Sequence, residues 1–536
     1  MNKKTISFGV MQLAVSATIA SLSTALLACG DAGNAGSAGG SGPSGSAGTG
    51  SFPGGGTGGA PPEKEVESTY GAPVATGKYV WIANPASGRV AYIDASTLQI
   101  KLVDAGNAPT YVAAVPDPQS DVAIVLNVLS LDATLLRASG GSVVASTLSV
   151  PSSGNAWAVS PDGHWAVAWT DSRRLTKPDP VEGYQDLTVL DLTNGAETST
   201  ELSVGYRPVG VAFDQFGTHA YAVTQDGISI VSLSGGPPAV VKNVALSDKP
   251  TDMATTTDVA ITPNGSFALV RRDGQTAISV FALSDGTRTD VALPFPATDL
   301  DLSVDGKTAV AVMRDAVPAS LVALLPVPGI VTNPTGFVTV AADTTLGSAS
   351  LSAKSPVGFF YANATPNPIL AVMDTSAAVP TLRDILLRAP ILAVFPTFDG
   401  SHAVIMHDAL VEQGSQYPAA VSLAPIAISL PPKIVGLDAP TVSVAIAPDG
   451  DHVLVAAGDE KTKKYQLMVG AFPSLKVQKL ALASMPIAAG IVAGAGRGYV
   501  AQKHPDGRIT FVDFNSGEVR TLTGFELATQ VTDGTP

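Results

Sequence analysis

Residues 444–455 read VAIAPDGDHVLV, which is an apolar run, a Pro-Asp-Gly turn and a second apolar run. Asp-Gly between two β-rich runs predicts a tight hairpin, because glycine adopts the positive φ of such a turn without a steric penalty. Related turns recur at residues 160–163, 262–265, 304–306 and 398–400. The chain is therefore expected to consist of repeated short β-hairpins.

The turn glycines set the period of the repeat. Successive intervals are 54, 48, 41, 94, 50 and 46 residues along the series Gly163, Gly217, Gly265, Gly306, Gly400, Gly450 and Gly496, and the interval of 94 corresponds to two units. Each unit contains four apolar runs, as at residues 200–204, 209–213, 220–223 and 228–233. Four short strands in about 40–50 residues are typical of one blade of a β-propeller.

Two stretches near the start of the repeats carry a family resemblance. YVWIAN (residues 79–84) and GRVAYID (residues 88–94), with the Pro-Asp-Gly hairpins, resemble the YVTN-type propeller repeat of bacterial and archaeal surface proteins. The resemblance spans roughly residues 77–525 and implies an all-β propeller of four-stranded blades. It indicates the fold much better than any activity.

The number of blades follows from the turns. Nine hairpin turns are recognisable, and N-terminal strands (79–94) joined to C-terminal strands (519–522 and 527–529) would close the ring as a tenth unit. Closure of this kind avoids exposed sheet edges. One large ring is the first expectation. A ring of seven or eight blades with residues 316–363 as an insertion, and two smaller rings, are the alternatives.

The N-terminus is predicted to be a targeting signal. Lys3 and Lys4 precede a mostly apolar run that ends in LLAC at residues 26–29, and this tetrapeptide resembles the bacterial lipobox. The resemblance implies a signal peptide over residues 1–28 and lipidation of Cys29, which anchors the protein in a membrane of a bacterial cell envelope. Gly30 after the cysteine favours the outer membrane. An ordinary signal peptide and a retained transmembrane anchor are the alternatives.

Composition divides the remaining chain and limits its partners. Residues 30–62 are nearly all Gly, Ala, Ser, Thr and Pro, so residues 29–76 are predicted to be a flexible tether and residues 77–536 the propeller. The net charge is −14, and it becomes −16 without the two lysines of the leader. Nucleic acid is therefore not expected as a partner, because its binding depends on cationic contacts to phosphate. A single cysteine excludes an internal disulfide and a cysteine-based metal cluster.

The candidate binding residues lie in one long loop. The loops that vary in length all fall on one face of the predicted propeller, and variable loops on a rigid scaffold are where binding usually resides. The longest covers residues 170–186 and supplies the predicted binding residues Asp171, Arg173, Arg174, Tyr184 and Asp186.

No catalytic, cofactor or metal site is predicted. Four of the six histidines (His164, His219, His402 and His452) follow a hairpin glycine by one or two residues, so they should start strands on separate blades, too far apart for one coordination sphere. Phosphate-loop, dinucleotide and serine-nucleophile patterns are missing from the folded part of the sequence. Trp157, Trp165 and Trp169 flank one hairpin and are interpreted as packing residues, with a sugar-stacking platform as the alternative.

Three functions remain open at this point. The first is a lipid-anchored, non-enzymatic module that binds a protein or glycan in the cell envelope. The second is a hydrolase, since lactonase-type propellers resemble this repeat family; a cluster of acidic, histidine or arginine side chains at the channel mouth would favour it. The third is a structural component of an envelope assembly.

Overall fold

The computed structural model describes residues 71–117, 120–151, 154–246, 257–314, 320–412, 414–427, 430–524 and 531–532. The predicted signal peptide, Cys29 and most of the predicted tether lie outside the described residues. The described chain is an all-β propeller with ten blades, each built around four antiparallel strands. This confirms the predicted fold class and the largest of the predicted blade counts.

The first five blades contain β1 (Val74–Ala75), β2 (Tyr79–Asn84), β3 (Arg89–Asp94) and β4 (Ile100–Asp104); β5 (Pro109–Val115), β6 (Asp121–Asn127), β7 (Asp132–Ser139) and β8 (Ser142–Ser149); β9 (Ala156–Val159), β10 (Trp165–Trp169), β11 (Asp186–Asp191) and β12 (Thr198–Ser203); β13 (Gly210–Phe213), β14 (His219–Val223), β15 (Gly227–Ser232) and β16 (Ala239–Ala245); and β17 (Thr257–Ile261), β18 (Phe267–Arg272), β19 (Ala277–Ala282) and β20 (Arg288–Ala292).

The last five contain β21 (Ala297–Leu302), β22 (Thr308–Arg314), β23 (Ser320–Pro326) and β24 (Val338–Ala342); β25 (Ser348–Leu351), β26 (Val357–Tyr361), β27 (Ile369–Asp374) and β28 (Arg383–Leu386); β29 (Ala393–Pro396), β30 (His402–His407), β33 (Ala419–Pro425) and β34 (Lys433–Leu437), with the inserted hairpin β31 (Leu410–Glu412) and β32 (Ser415–Tyr417); β35 (Thr441–Ile446), β36 (His452–Asp459), β37 (Lys464–Ala471) and β38 (Lys476–Ala481); and β39 (Pro486–Val492), β40 (Arg497–Gln502), β41 (Arg508–Asp513), β42 (Val519–Thr523) and β43 (Val531–Thr532).

The stretch 444–455 is the hairpin between the first two strands of the ninth blade. Val444 pairs with Val455, and Gly450 has a φ of +81°, which is the left-handed conformation that the turn needs. Asp449 accepts a hydrogen bond from the backbone N–H of Asp451 at 3.0 Å, and so fixes the turn through its side chain. The Pro-Asp-Gly motif is therefore a structural turn, as predicted.

The repeat begins one strand later than the sequence suggested. Within each blade the first strand lies innermost, since β21 contacts β25 and β35 contacts β39 across neighbouring blades. Residues 200–204, expected to open a unit, belong instead to β12, the outer strand of the preceding blade. Residues 316–363 are not an insertion, because they contribute strands to the sixth and seventh blades.

Ten apolar clusters hold the ring together, one between each pair of neighbouring blades. The cluster that closes the ring joins Val80 and Ile93 of the first blade to Tyr499, Phe511 and Leu522 of the last. The predicted strands at residues 79–94 and 519–522 thus do close the ring, whereas the predicted strand at residues 527–529 lies outside the described residues. They do so as neighbouring blades and not within one shared sheet, because β2 pairs with β1 and β3 pairs with β4.

Helical structure is confined to three single turns in the described chain: 3₁₀ segments at Ser172–Arg174 and Ala493–Ala495, and the α-helix α1 at Gly329–Thr332. None of the helices among the described residues has the length and hydrophobicity needed to cross a bilayer.

Candidate functional site

The propeller has two faces that differ in their connections. We call the hairpin face the side that carries the turns between first and second strands and between third and fourth strands. The loop face is the opposite side, with the connections between second and third strands and between blades. The one-strand shift leaves this division unchanged, so the loop at residues 170–186, between β10 and β11, lies on the loop face as predicted.

The start of this loop is fixed by a buried carboxylate. Asp171 is 2% exposed and caps the 3₁₀ segment by accepting the backbone N–H of Arg173 at 3.0 Å. Its Oδ2 also lies 2.7 Å from Nη2 of Arg173 and 3.6 Å from Nε of Arg174. Asn155 bonds both the N–H and the C=O of Asp171. The carboxylate of Asp171 is therefore engaged by hydrogen bonds and ion pairs within the protein.

Arg207 fixes the tip of the same loop from the next blade connection. Its guanidinium donates to the carbonyl oxygens of Asp179 at 3.0 Å, Pro180 at 3.2 Å and Glu182 at 3.3 Å. The hydroxyl oxygen of Tyr184 accepts the N–H of Asp179 at 2.8 Å. Backbone carbonyls that would otherwise need water are paired in this way, so the loop holds one shape.

The ordered tip presents an apolar side chain to solvent. Val181 is 88% exposed. On the same face of the neighbouring second blade, the turn between β6 and β7 exposes Leu129 (76%) and Leu131. Both loops lie on the loop face of neighbouring blades, so their exposed aliphatic side chains are the candidate contacts for a protein partner. We call Val181, Leu129 and Leu131 the loop-face patch.

Three of the five predicted binding residues, Asp171, Arg173 and Arg174, form one ion-paired group, and the other two have different surroundings. The guanidinium of Arg173 donates a hydrogen bond to the carbonyl oxygen of Val209 at 2.6 Å, while the side chain of Arg174 is half exposed. Tyr184 supports the loop tip, and Asp186 is the exposed first residue of β11. The loop was therefore located from sequence, but Val181, Leu129 and Arg207 were missed; only the apolar residues in the β6–β7 turn gave a sequence signal.

A polar cluster occupies the channel side of the fifth and sixth blades. Arg271, 2% exposed, pairs through Nε with Asp258 on the innermost strand β17 and through Nη1 with Asp273 at 2.5 Å. The same Nη1 donates to the carbonyl of Ala297 at 3.0 Å, which links the fifth blade to the sixth. Because Arg271 is the penultimate residue of β18 and Asp273 follows that strand, the cluster lies toward the loop face.

Asp299 on β21 is the adjacent carboxylate. Its oxygens accept the backbone N–H groups of Leu300 at 3.0 Å and Ala349 at 2.8 Å. Burial raises the pKa of Asp299 to about 6, and the charge of Asp258 acts in the same direction, against the hydrogen bonds and Arg271. A carboxyl group that titrates near neutrality is the kind of group that acid–base chemistry uses.

The four tryptophans and His407 are packing residues. Trp81 and Trp169 are buried, and Trp157 and Trp165 are half-buried, with Trp157 Nε1 donating to the carbonyl of Tyr111 at 2.9 Å. His407 is buried between the carbonyl of Pro390 and the hydroxyl of Ser422, and burial lowers its pKa. Among the described residues, no group of three or more His, Cys, Asp or Glu side chains could hold a metal ion.

Comparison with known proteins gives the fold and no more. No family model matches the chain, and no curated protein matches it. A solved eukaryotic initiation factor is similar at a TM-score of 0.50 and 10% identity, over 78% of this chain and 96% of that one. The dihydro-heme d1 dehydrogenase NirN in complex with DHE is similar at a TM-score of 0.42 and 14% identity, over 67% of this chain and 72% of that one. At 10% identity the likeness to the initiation factor concerns the fold alone.

Proposed function

We propose that this chain is a lipid-anchored protein of a bacterial cell envelope whose propeller binds a protein partner through the loop-face patch. The observation that carries the proposal is Val181, an aliphatic side chain held in solvent by a loop whose carbonyls are fixed by Arg207. A preorganised loop loses little conformational entropy on binding, so its apolar contacts count almost fully toward affinity.

A protein partner is better supported than a glycan. Sugar binding commonly uses exposed aromatic faces, whereas the loop-face patch is aliphatic and the four tryptophans are buried or half-buried. The hydrolase alternative has two features in its favour, the polar cluster around Arg271 on the channel side and the raised pKa of Asp299. The neighbouring Arg271 is engaged with Asp258, Asp273 and a backbone carbonyl, which gives it a structural role.

Photo-crosslinking tests the loop-face patch directly. We expect a benzophenone amino acid at position 181 of the full-length protein to crosslink one discrete partner in intact cells. Val379 is the matched control, because it is also a highly exposed valine (79%) but lies on the hairpin face between β27 and β28. Val181→Asp should then weaken co-purification of that partner at least about tenfold, since a charge is placed in an apolar contact, whereas Val379→Asp should leave it unchanged.

Equal crosslinking from positions 181 and 379, or the same yield of partner with Val181→Asp, would rule out the loop-face patch as the interface. The variant Arg207→Ala tests the ordering of the loop separately from the apolar contact made by Val181. It leaves Val181 in place but frees three carbonyls, and we expect a smaller loss of binding than Val181→Asp causes.

The lipid anchor is tested by fractionation. Cys29 lies outside the described residues, and its lipidation is proposed from the LLAC sequence. The wild-type protein should pellet with membranes and incorporate labelled palmitate, because two or more acyl chains give stable anchoring. Cys29→Ser should abolish the label and leave the membrane pellet, and Gly30→Ala, which keeps the cysteine, should do neither. A Cys29→Ser protein that still pelleted would contradict the proposal.

A further inference from the structure

Two Asn-Gly pairs give the chain two positions with the same intrinsic reactivity. They are residues 194–195 and 264–265, and the sequence contains no other Asn-Gly pair. The backbone nitrogen that follows an asparagine can attack the side-chain carboxamide, and glycine permits this because it has no Cβ to restrict the approach. Both asparagines are exposed on the hairpin face, in the turns between β11 and β12 and between β17 and β18. Their surroundings determine which of them reacts.

A carboxylate lies beside the reacting N–H of the first pair. The N–H of Gly195 donates to Oε2 of Glu197 at 3.1 Å. The other carboxylate oxygen of Glu197 lies 3.7 Å from Nε of Arg137 on the neighbouring blade, and the side chain of Glu197 is only 17% exposed. An ion pair that is largely shielded from solvent keeps the carboxylate beside the turn. A base within hydrogen-bond distance of the proton it must remove is the geometry that general base catalysis requires.

The N–H of the second pair meets a much weaker base. Gly265 donates to the backbone carbonyl oxygen of Thr262 at 2.8 Å, which is neutral. The carboxamide of Asn264 is also held, because its Oδ1 accepts the N–H of Ser266 at 3.1 Å. For Asn194, by contrast, the described part of the chain provides no hydrogen-bond partner to the carboxamide. The side chain of Asn194 can therefore turn toward the next backbone nitrogen.

The two turns also differ in the space around their glycines. The side-chain carbon and the next nitrogen can close a succinimide ring only if the backbone at the asparagine rotates, so the turn must move. A Cβ at Gly195 would meet no atom within 4 Å, whereas one at Gly265 would collide with the hydroxyl group of Tyr221 on the neighbouring blade. The turn at residues 194–195 can therefore rearrange, and the turn at residues 264–265 is packed in place.

We propose that Asn194 is a site of spontaneous deamidation, with Glu197 as the general base. Glu197 accepts the proton of Gly195, whose nitrogen bonds to Cγ of Asn194. The bond from Cγ to Nδ2 then breaks, and ammonia leaves with that proton. Water opens the resulting cyclic imide at either carbonyl carbon and gives aspartate or isoaspartate at position 194. The reaction needs no co-reactant other than water.

Both products place a negative charge in a turn whose residues, 193–196, are uncharged. Isoaspartate also redirects the backbone through the side chain, close to the start of the outer strand β12. The protein is therefore expected to become a mixture of charge forms as it ages. Since the turn lies on the hairpin face, the loop-face patch is not altered, and the inference is independent of the proposed interface.

The test compares the two pairs within one molecule. The full-length protein is incubated at neutral pH and analysed by peptide mass spectrometry, with protein isoaspartyl methyltransferase to detect isoaspartate. We expect Asn194 to be converted at least about tenfold faster than Asn264, a factor below the usual range for a positioned base. In guanidinium chloride the two should react at similar rates, because unfolding removes the difference between their surroundings.

The variant Glu197→Gln tests the base separately from the open turn. It keeps the shape of the side chain but removes the charge, and it should slow conversion of Asn194 at least about tenfold without affecting Asn264. Glu201→Gln, on β12 of the same blade, is the matched control and should change neither rate. All rates are compared well below the Tm of every variant. Two results would overturn the proposal: equal conversion of the two asparagines in the folded protein, or an unchanged rate for Asn194 in Glu197→Gln.

Discussion

Replacement of Arg271 by leucine is expected to lower the free energy of unfolding by about 3–5 kcal/mol, the usual cost of removing one partner from a buried ion pair. Arg271 is almost fully buried, and its loss leaves Asp258 as an uncompensated charge on the innermost strand. Although burial alone would lower the pKa of Arg271, the hydrogen bond and charge of Asp258 raise it, so the guanidinium stays charged. Guanidinium denaturation monitored by circular dichroism measures the change.

An exposed pair in the same blade provides the control. Arg288 lies 2.8 Å from Asp290 with both side chains well exposed, so Arg288→Ala should cost about 0–1 kcal/mol. The double variant Arg271→Leu with Asp258→Asn should recover part of the loss, because the uncompensated charge is gone. A cost for Arg271→Leu no larger than that for Arg288→Ala would show that the polar cluster does not stabilise the ring.

The blade count was predictable because each hairpin turn is a local signal. Which strand lies innermost was not, since a ring of four-strand repeats looks the same from any starting strand. The outer strands do carry a signal that the turn pattern hides. β12 and β38 read TSTELS and KVQKLA, and both are exposed or half-buried along their length. Polar composition of one strand in four would have set the phase correctly.

The candidate sites depended on contacts that sequence does not encode locally. The loop at residues 170–186 was identifiable from its length, but the arginine that orders it, Arg207, lies beyond the next strand.

The second large effect is a fall in stability as the pH rises from about 4 to 6, caused by Asp299. An aspartate in an unfolded chain has a pKa of about 3.9, whereas burial raises the pKa of Asp299 to about 6. Between these values the folded protein holds a proton that the unfolded chain has released, so the stabilisation present below pH 4 is lost by pH 6. We expect about 2 kcal/mol, less than the full conversion of the shift because the side chain is partly exposed.

The difference between the wild-type protein and Asp299→Asn isolates this term, since the asparagine does not titrate. Asp305 in the same blade gives the opposite sign: burial would raise the pKa of its carboxyl group, but hydrogen bonds from Lys307 N and Ser303 Oγ lower it. The contribution of Asp305 is therefore present at neutral pH and lost as the pH falls below about 4. The wild-type minus Asp299→Asn difference should fall with pH between 4 and 6, and the wild-type minus Asp305→Asn difference should rise with pH below 4. If the two differences changed with pH in the same direction, the raised pKa of Asp299 would be contradicted. That result would mean that the two backbone N–H groups stabilise the Asp299 anion more than burial destabilises it, so that Asp299 titrates like Asp305.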